Sequence, residues 1–123
     1  MIRVVLVDDH VVVRSGFAQL LSLEEDLEVA GQFSSAAQAW PALLRDDVDV
    51  AVMDIAMPDE NGLVVLEKLR ANPSTKNIPV IFLTGITDRK KIQEALVMKP
   101  QGYLLKPINR KRLLAAIQNT LEA

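Results

Sequence analysis

Short apolar runs rich in β-branched residues alternate along this chain with stretches whose apolar residues recur at helical spacing, the pattern of repeated βα units on a parallel sheet. The runs are Val4 to Val7, Leu27 to Phe33, Val48 to Met53, Pro79 to Leu83 and Gly102 to Leu105. They are apolar almost without interruption, which suits strands covered on both faces better than half-exposed hairpins. Between them Val13, Phe17, Leu20 and Leu21 share one helix face, as do Leu63, Leu66 and Leu69, then Ile92 and Leu96, and finally Leu113, Ile117 and Leu121. Ser34 or Ser35, Asp59, Asp88 and Asn109 stand just ahead of helical stretches, where a side-chain oxygen can accept from an unpaired backbone N–H. Pro41 falls inside the stretch from Ala36 to Arg45 and removes one backbone donor, so a kinked or late-starting second helix is expected there. Asn72-Pro73-Ser74 with Asn77 is the longest loop candidate.

Composition narrows the possibilities. The chain has 123 residues, 50% hydrophobic and 24% charged, enough for one sizeable core and too short for a second. The expectation is a single domain over residues 1–123. Fourteen basic and sixteen acidic residues leave a net charge of −2, so no overall field draws in nucleic acid, and no direct nucleic-acid binding by this domain is expected. With no Cys and one His, disulfides, thiol nucleophiles and Cys/His zinc sites are excluded. The opening residues lack the long apolar stretch of a signal peptide, and no run approaches the ~18 residues of a membrane span. A cytoplasmic location without membrane contact is expected.

In open α/β sheets ligands bind beyond the carboxyl ends of the strands, so the strand-ending residues matter most. Here the first strand ends in Asp8-Asp9, the third in Asp54, the fourth in Thr84-Gly85 and the fifth in Lys106-Pro107. An Asp-Asp pair alone is an ordinary solvated loop. Three carboxylates, a hydroxyl and an ammonium on one rim are not. Two carboxylates about 4 Å apart repel by about 4 kcal/mol at an effective dielectric of about 20, so the cluster calls for a cation. An oxygen-lined site free of histidine and cysteine suits Mg²⁺. His10 follows the strand end and is assigned to the helix start, with coordination left to Asp9. Trp40 reads as partial core beside Pro41.

The segments Val7-Asp8-Asp9-His10, Met53 to Gly62, Leu83-Thr84-Gly85 and Gly102 to Ile108 together resemble the receiver domain of bacterial two-component response regulators, over Ile2 to Leu121. The resemblance implies a flavodoxin-like (βα)5 doubly wound parallel sheet with strand order 2-1-3-4-5. It implies Asp54 as phosphoacceptor, Asp9 as a direct Mg²⁺ ligand, Asp8 as a ligand acting mostly through water, and the Ala56 carbonyl as a backbone ligand. Thr84 and Lys106 are implied to bind the phosphoryl oxygens, Tyr103 to change rotamer on activation, and the Lys106–Pro107 bond to be cis. By the same likeness the chain is a signalling domain, not an enzyme with a separate substrate, its only chemistry being its own phosphotransfer and slow autodephosphorylation.

The implied partner is a sensor histidine kinase or phosphotransfer protein; of the consecutive Val11, Val12 and Val13 at the start of the first helix, a helix that buries Val13 leaves Val12, with Gly16, nearer solvent as an apolar patch for it. Arg89, Lys90 and Lys91 on the fourth expected helix and Arg110, Lys111 and Arg112 on the fifth flank Tyr103, on the face where relatives form homodimers or meet outputs. Met98-Lys99-Pro100-Gln101 departs from the small residues that often precede the fifth strand in relatives.

The chemistry is consistent with the residues themselves. A carboxylate nucleophile attacking a phosphoryl group must overcome like charge, which Mg²⁺ and Lys106 offset. A haloacid-dehalogenase-type phosphatase needs a second Asp two residues after the nucleophile, and that position is Ala56. Dinucleotide binding needs a glycine-rich turn where Asp8-Asp9-His10 stands. The run Val-Asp-Asp-His-x-x-Val-Arg-x-Gly-Phe resembles regulators with a helix-turn-helix DNA-binding output, a domain for which these residues leave no room. Two readings stay open: the receiver of a longer transcription regulator, or a stand-alone relay or protein-binding receiver. The gene sequence beyond Ala123 separates them.

Overall fold

Residues 2–45, 48–54, 62–84, 102–105 and 110–122 are described by a computed structural model. The elements run β1 (Ile2–Val7), α1 (Val11–Ser22), β2 (Leu27–Phe33), α2 (Ala36–Leu43), β3 (Val50–Asp54), α3 (Gly62–Ala71), β4 (Val80–Thr84), β5 (Gly102–Leu105) and α4 (Arg110–Glu122). The helix expected around Ile92 and Leu96 lies outside the described residues, as do Asp59, Asp88, Asn109 and Met98 to Gln101, so α4 is the helix built on Leu113 and Ile117. The sheet has the order β2-β1-β3-β4-β5 with all neighbours parallel, which is the doubly wound order expected.

Strand alternation explains the two-layered core. Successive side chains point to opposite faces. Val5, Val7, Ala51, Met53, Val80 and Phe82 pack with Ala36, Ala39 and Leu43 of α2 and Val65, Leu66 and Leu69 of α3. On the other face Val4, Leu6, Val50, Val52, Ile81 and Leu83 pack with Phe17 and Leu21 of α1 and Leu113 and Ile117 of α4. The strands need no polar face because both sides are covered. Trp40 is partly buried against the first layer, as its neighbourhood suggested.

Some boundaries differ from the sequence expectation for identifiable reasons. α2 begins at Ala36 without a late start, because the Ser35 side chain accepts a hydrogen bond from the Gln38 N–H at 3.3 Å, and Pro41 is carried inside the helix. β4 starts at Val80, one residue after Pro79, which has no N–H to donate; its carbonyl accepts from the Ala51 N–H at 2.9 Å. The expected loop after α3 is tied down by the buried Thr75 hydroxyl, which donates to the Leu69 carbonyl at 2.8 Å, and by Arg70, which donates to the Ile78 carbonyl at 2.8 Å. Burial lowers the pKa of Arg70 from its ordinary value.

One feature gave no sequence signal. The β1–β2 register slips between Val4, paired with Val29, and Val5, paired with Gly31, leaving Ala30 as the extra residue of a bulge. A Cβ on Gly31 would meet the Phe33 ring at 2.7 Å, so this position needs glycine unless that ring moves.

Candidate functional site

Period-two geometry brings the acidic residues together. Leu6 pairs with Val52, and both face α1 and α4. Two residues further along each chain stand Asp8 and Asp54, on the same side of the sheet by the same alternation. Both are buried, at 1% and 3% exposure. Asp8 is fixed from three directions. Its N–H donates to the Phe33 carbonyl at 3.0 Å, its carbonyl accepts from Arg14 Nη1 at 2.7 Å, and its Oδ1 accepts from the His10 N–H at 2.8 Å. The last bond closes a turn of the kind that Asp favours, immediately before α1 begins.

His10 is the N-cap of α1, where the sequence reading put it, but its ring makes no capping bond. Nδ1 lies 3.0 Å from Asp8 Oδ1, 3.5 Å from Asp9 Oδ1 and 3.5 Å from Asp54 Oδ2. Ligand-capable atoms of Asp8, Asp9, His10 and Asp54 all fall within 4.8 Å of one another. The side chains of Asp9 and His10 are 33% and 59% exposed, so the cluster opens toward solvent on the α1 side. Asp9 Oδ1 is buried and has no hydrogen-bond partner among the described residues.

A buried carboxylate oxygen without a donor, beside two buried carboxylates, is a costly arrangement that a divalent cation relieves. The donor set is oxygen-rich, as a hard cation such as Mg²⁺ requires, but it is not free of histidine as expected, because the turn closed by Asp8 brings the His10 ring into the cluster. Asp8, Asp9 and Asp54, three of the metal ligands expected from the sequence, are thus brought into one cluster. Thr84 ends β4, with its Cα paired to Leu105, the last residue of β5. Tyr103 lies within β5, paired with Phe82. Ala56, Lys106 and Pro107 lie outside the described residues. Sequence reasoning gave no role to Arg14, whose spacing from Asp8 and whose place on α1 could have pointed to it.

The sequence matches the response regulator receiver domain over residues 4–118. The chain belongs to that family. The receiver domain is 40% identical over 117 residues to the transcriptional regulatory protein UhpA of Escherichia coli, an alignment covering 95% of this chain and 57% of that protein. It is 33% identical over 119 residues to the DNA-binding transcriptional activator DevR/DosR of Mycobacterium tuberculosis, covering 97% of this chain and 54% of the other. The chain therefore spans about half the length of these relatives. Among solved structures the REC domain of the response regulator AraT from Geobacillus stearothermophilus superposes with a TM-score of 0.86 at 29% identity, covering 98% of this chain and 92% of that one. The receiver domain is a two-component signalling domain with the flavodoxin-like fold. Among its described residues no helix is long and apolar enough to cross a membrane.

Proposed function

We propose that this receiver domain accepts a phosphoryl group from a sensor histidine kinase or phosphotransfer protein onto Asp54, with Mg²⁺ held by Asp8, Asp9, Asp54 and the Ala56 carbonyl. The observation that carries the reading is the placement of the buried Asp54 Oδ2 at the end of β3, in one cluster with Asp8 and Asp9. In the transfer an Asp54 oxygen forms a bond to phosphorus as the phosphorus–nitrogen bond of the phosphohistidine breaks, and the leaving electron pair stays on the imidazole nitrogen. Mg²⁺, when bound, offsets the negative charge of the phosphoryl group and the carboxylates. Asp8 and Asp9 hold that cation. Arg14 and the Asp8–His10 turn keep the two acids oriented.

Lys106 and Thr84 bind phosphoryl oxygens in this reading. The acyl phosphate adds about −1.5 to −2 charges, so Thr84 is drawn toward it and Tyr103 takes up the vacated space. That changes the face built from β5 and the flanking helices, where a homodimer or output contact forms. Val11 and Val12 are both exposed beside the site, a surface suited to the apolar helices of a kinase. Apart from this self-phosphorylation and slow loss of the phosphoryl group, the domain turns over no separate substrate.

UhpA and DevR/DosR are named as transcription regulators, and the alignments cover about half of each. This supports a parent protein that is a cytoplasmic transcription regulator, in which residues 1–123 form the single receiver domain and DNA contact falls to a separate output domain. Incubation with acetyl phosphate and Mg²⁺, read by intact mass, tests the reading. The parent gains one phosphoryl group, whereas Asp54→Asn and a chelator-treated sample gain none. Uptake by Asp54→Asn at the parent's rate would overturn the assignment.

A further inference from the structure

The ring of His10 is better placed than a helix-start residue needs to be. Helix N-caps work through a side-chain acceptor directed at the first turn, and His10 makes no such bond. Its Nδ1 instead lies 3.0 to 3.5 Å from an oxygen of each of Asp8, Asp9 and Asp54. Two atoms that each lie about 2.1 Å from one cation are about 3.0 Å apart at right angles and about 3.4 Å apart at tetrahedral angles. The observed separations match those of neighbouring ligands around a single ion, the shortest of them being a hydrogen bond to Asp8 Oδ1 that an incoming ion would replace. The backbone cooperates, because the His10 N–H is already bonded to Asp8 Oδ1, which pins the residue at the mouth of the cluster.

From this geometry we infer that His10 is a nitrogen ligand of the cation site, and that it tilts the site's preference away from Mg²⁺ and toward imidazole-seeking ions such as Co²⁺ and Ni²⁺. The inference rests on the proposed cation site of Asp8, Asp9 and Asp54. Mg²⁺ takes oxygen ligands and dehydrates reluctantly, so it gains little from an imidazole. Ni²⁺ and Co²⁺ gain much, since imidazole suits them and their intrinsic affinities rise along the first transition row. His10 is half-exposed, so it can adjust to an incoming ion without disturbing the core. Cation identity then becomes a variable of the site, with His10 as the residue that sets it.

The test is calorimetric titration of Mg²⁺ and Ni²⁺ into the parent, His10→Asn and Asp9→Ala, with circular dichroism checking the fold. Asn preserves the preference of the N-cap position for a small polar residue. His10→Asn is expected to weaken Ni²⁺ binding tenfold or more and to change Mg²⁺ binding less than threefold. The chain contains a single histidine, so a contact-shifted imidazole resonance in the proton spectrum of the Co²⁺-loaded parent, absent from His10→Asn, reports this ring and no other. Equal losses for both ions would make His10 a positioning residue, and no loss would leave it without a role; either overturns the inference. Asp9→Ala separates the two readings. If it leaves Mg²⁺ and Ni²⁺ binding unchanged, the carboxylate site itself is wrong. If it weakens both while His10→Asn weakens neither, only the histidine ligand is wrong.

Discussion

The two ends of β1 handle charge in opposite ways. At the N-terminal end Arg3 sits among acids: its Nη1 donates to Glu28 Oε2 at 2.8 Å and its N–H donates to Asp49 Oδ2 at 2.7 Å, in a half-exposed pairing that water also serves. At the C-terminal end Asp8, Asp9 and Asp54 gather around one imidazole, with Asp8 and Asp54 buried. Between these ends the strand packs the same way throughout, Val4 to Val7 being buried in both core layers. The difference is therefore not one of fold quality. Clustered buried carboxylates oppose folding through desolvation and repulsion, and their presence at one end only is what the proposed cation site accounts for.

The largest expected effect follows directly from that reading. A cation that binds only the folded state at about one hundred times its Kd stabilises the protein by about 2.7 kcal/mol. For a domain of this size that corresponds to a melting temperature higher by roughly 10 °C. Thermal unfolding with and without saturating Mg²⁺ should show this rise in the parent, and Asp9→Ala should lose most of it. A rise undiminished in Asp9→Ala would mean that the two ends do not differ in the way described.

A smaller effect concerns the lifetime of the phosphorylated form. Ala56 and Ile86 stand two residues beyond Asp54 and Thr84 in the sequence, and on the proposed phosphoacceptor role of Asp54 a polar side chain at these positions is expected to align the water that attacks phosphorus. Ala56 offers no hydrogen bond, and Ile86 is bulky and apolar. Ala56→Asn combined with Ile86→Glu is expected to speed loss of the phosphoryl group about tenfold, equivalent to about 1.4 kcal/mol of barrier, or roughly one hydrogen bond. The decay is followed by intact mass in Mg²⁺. No acceleration in the double variant would remove the basis for a long-lived acyl phosphate.

Much of this contrast was legible in the residues. β2 and β5 match their apolar runs residue for residue, and β1, β3 and β4 differ by one or two residues at their ends, Pro79 deciding the start of β4. The approach of Asp8 to Asp54 was readable too, because both follow apolar runs whose alternation continues into them. The ring of His10 was not. Its approach to Asp54, at 3.5 Å, is a contact between two strand ends and not a property of either segment alone. The bulge at Ala30 was hidden for a similar reason, since a register slip is a property of two strands and Leu27 to Phe33 carries no turn residue other than Gly31.

Asp9→Asn should invert its sign with the medium. In a chelating buffer the amide keeps the shape of the carboxylate, removes one charge from the cluster and adds a donor for its neighbours. The gain expected for a partly exposed position is about 1 kcal/mol, or roughly 4 °C in melting temperature. In saturating Mg²⁺ the same variant should melt below the parent, because it has lost a ligand. Melting curves of both proteins in both buffers should therefore cross. A variant less stable than the parent in chelator would show that the carboxylate of Asp9 is not under repulsion.

Glu28→Ala probes the other end and should do least. The Arg3–Glu28 pair is well formed at 2.8 Å, but its side chains are 29% and 46% exposed, and water screens such pairs effectively. Truncation should cost no more than about 0.5 kcal/mol in dilute buffer, less at high salt, and should leave the Mg²⁺-dependent rise in melting temperature unchanged. Arg3 keeps its backbone bond to Asp49, so the end of the sheet stays anchored when the ion pair goes. A loss of 2 kcal/mol or more, or a change in Mg²⁺ response, would mean that charge at the N-terminal end is coupled to the acidic cluster through β1. The contrast between a screened, balanced end and a strained, ligand-seeking one would then have to be redrawn as a single electrostatic system.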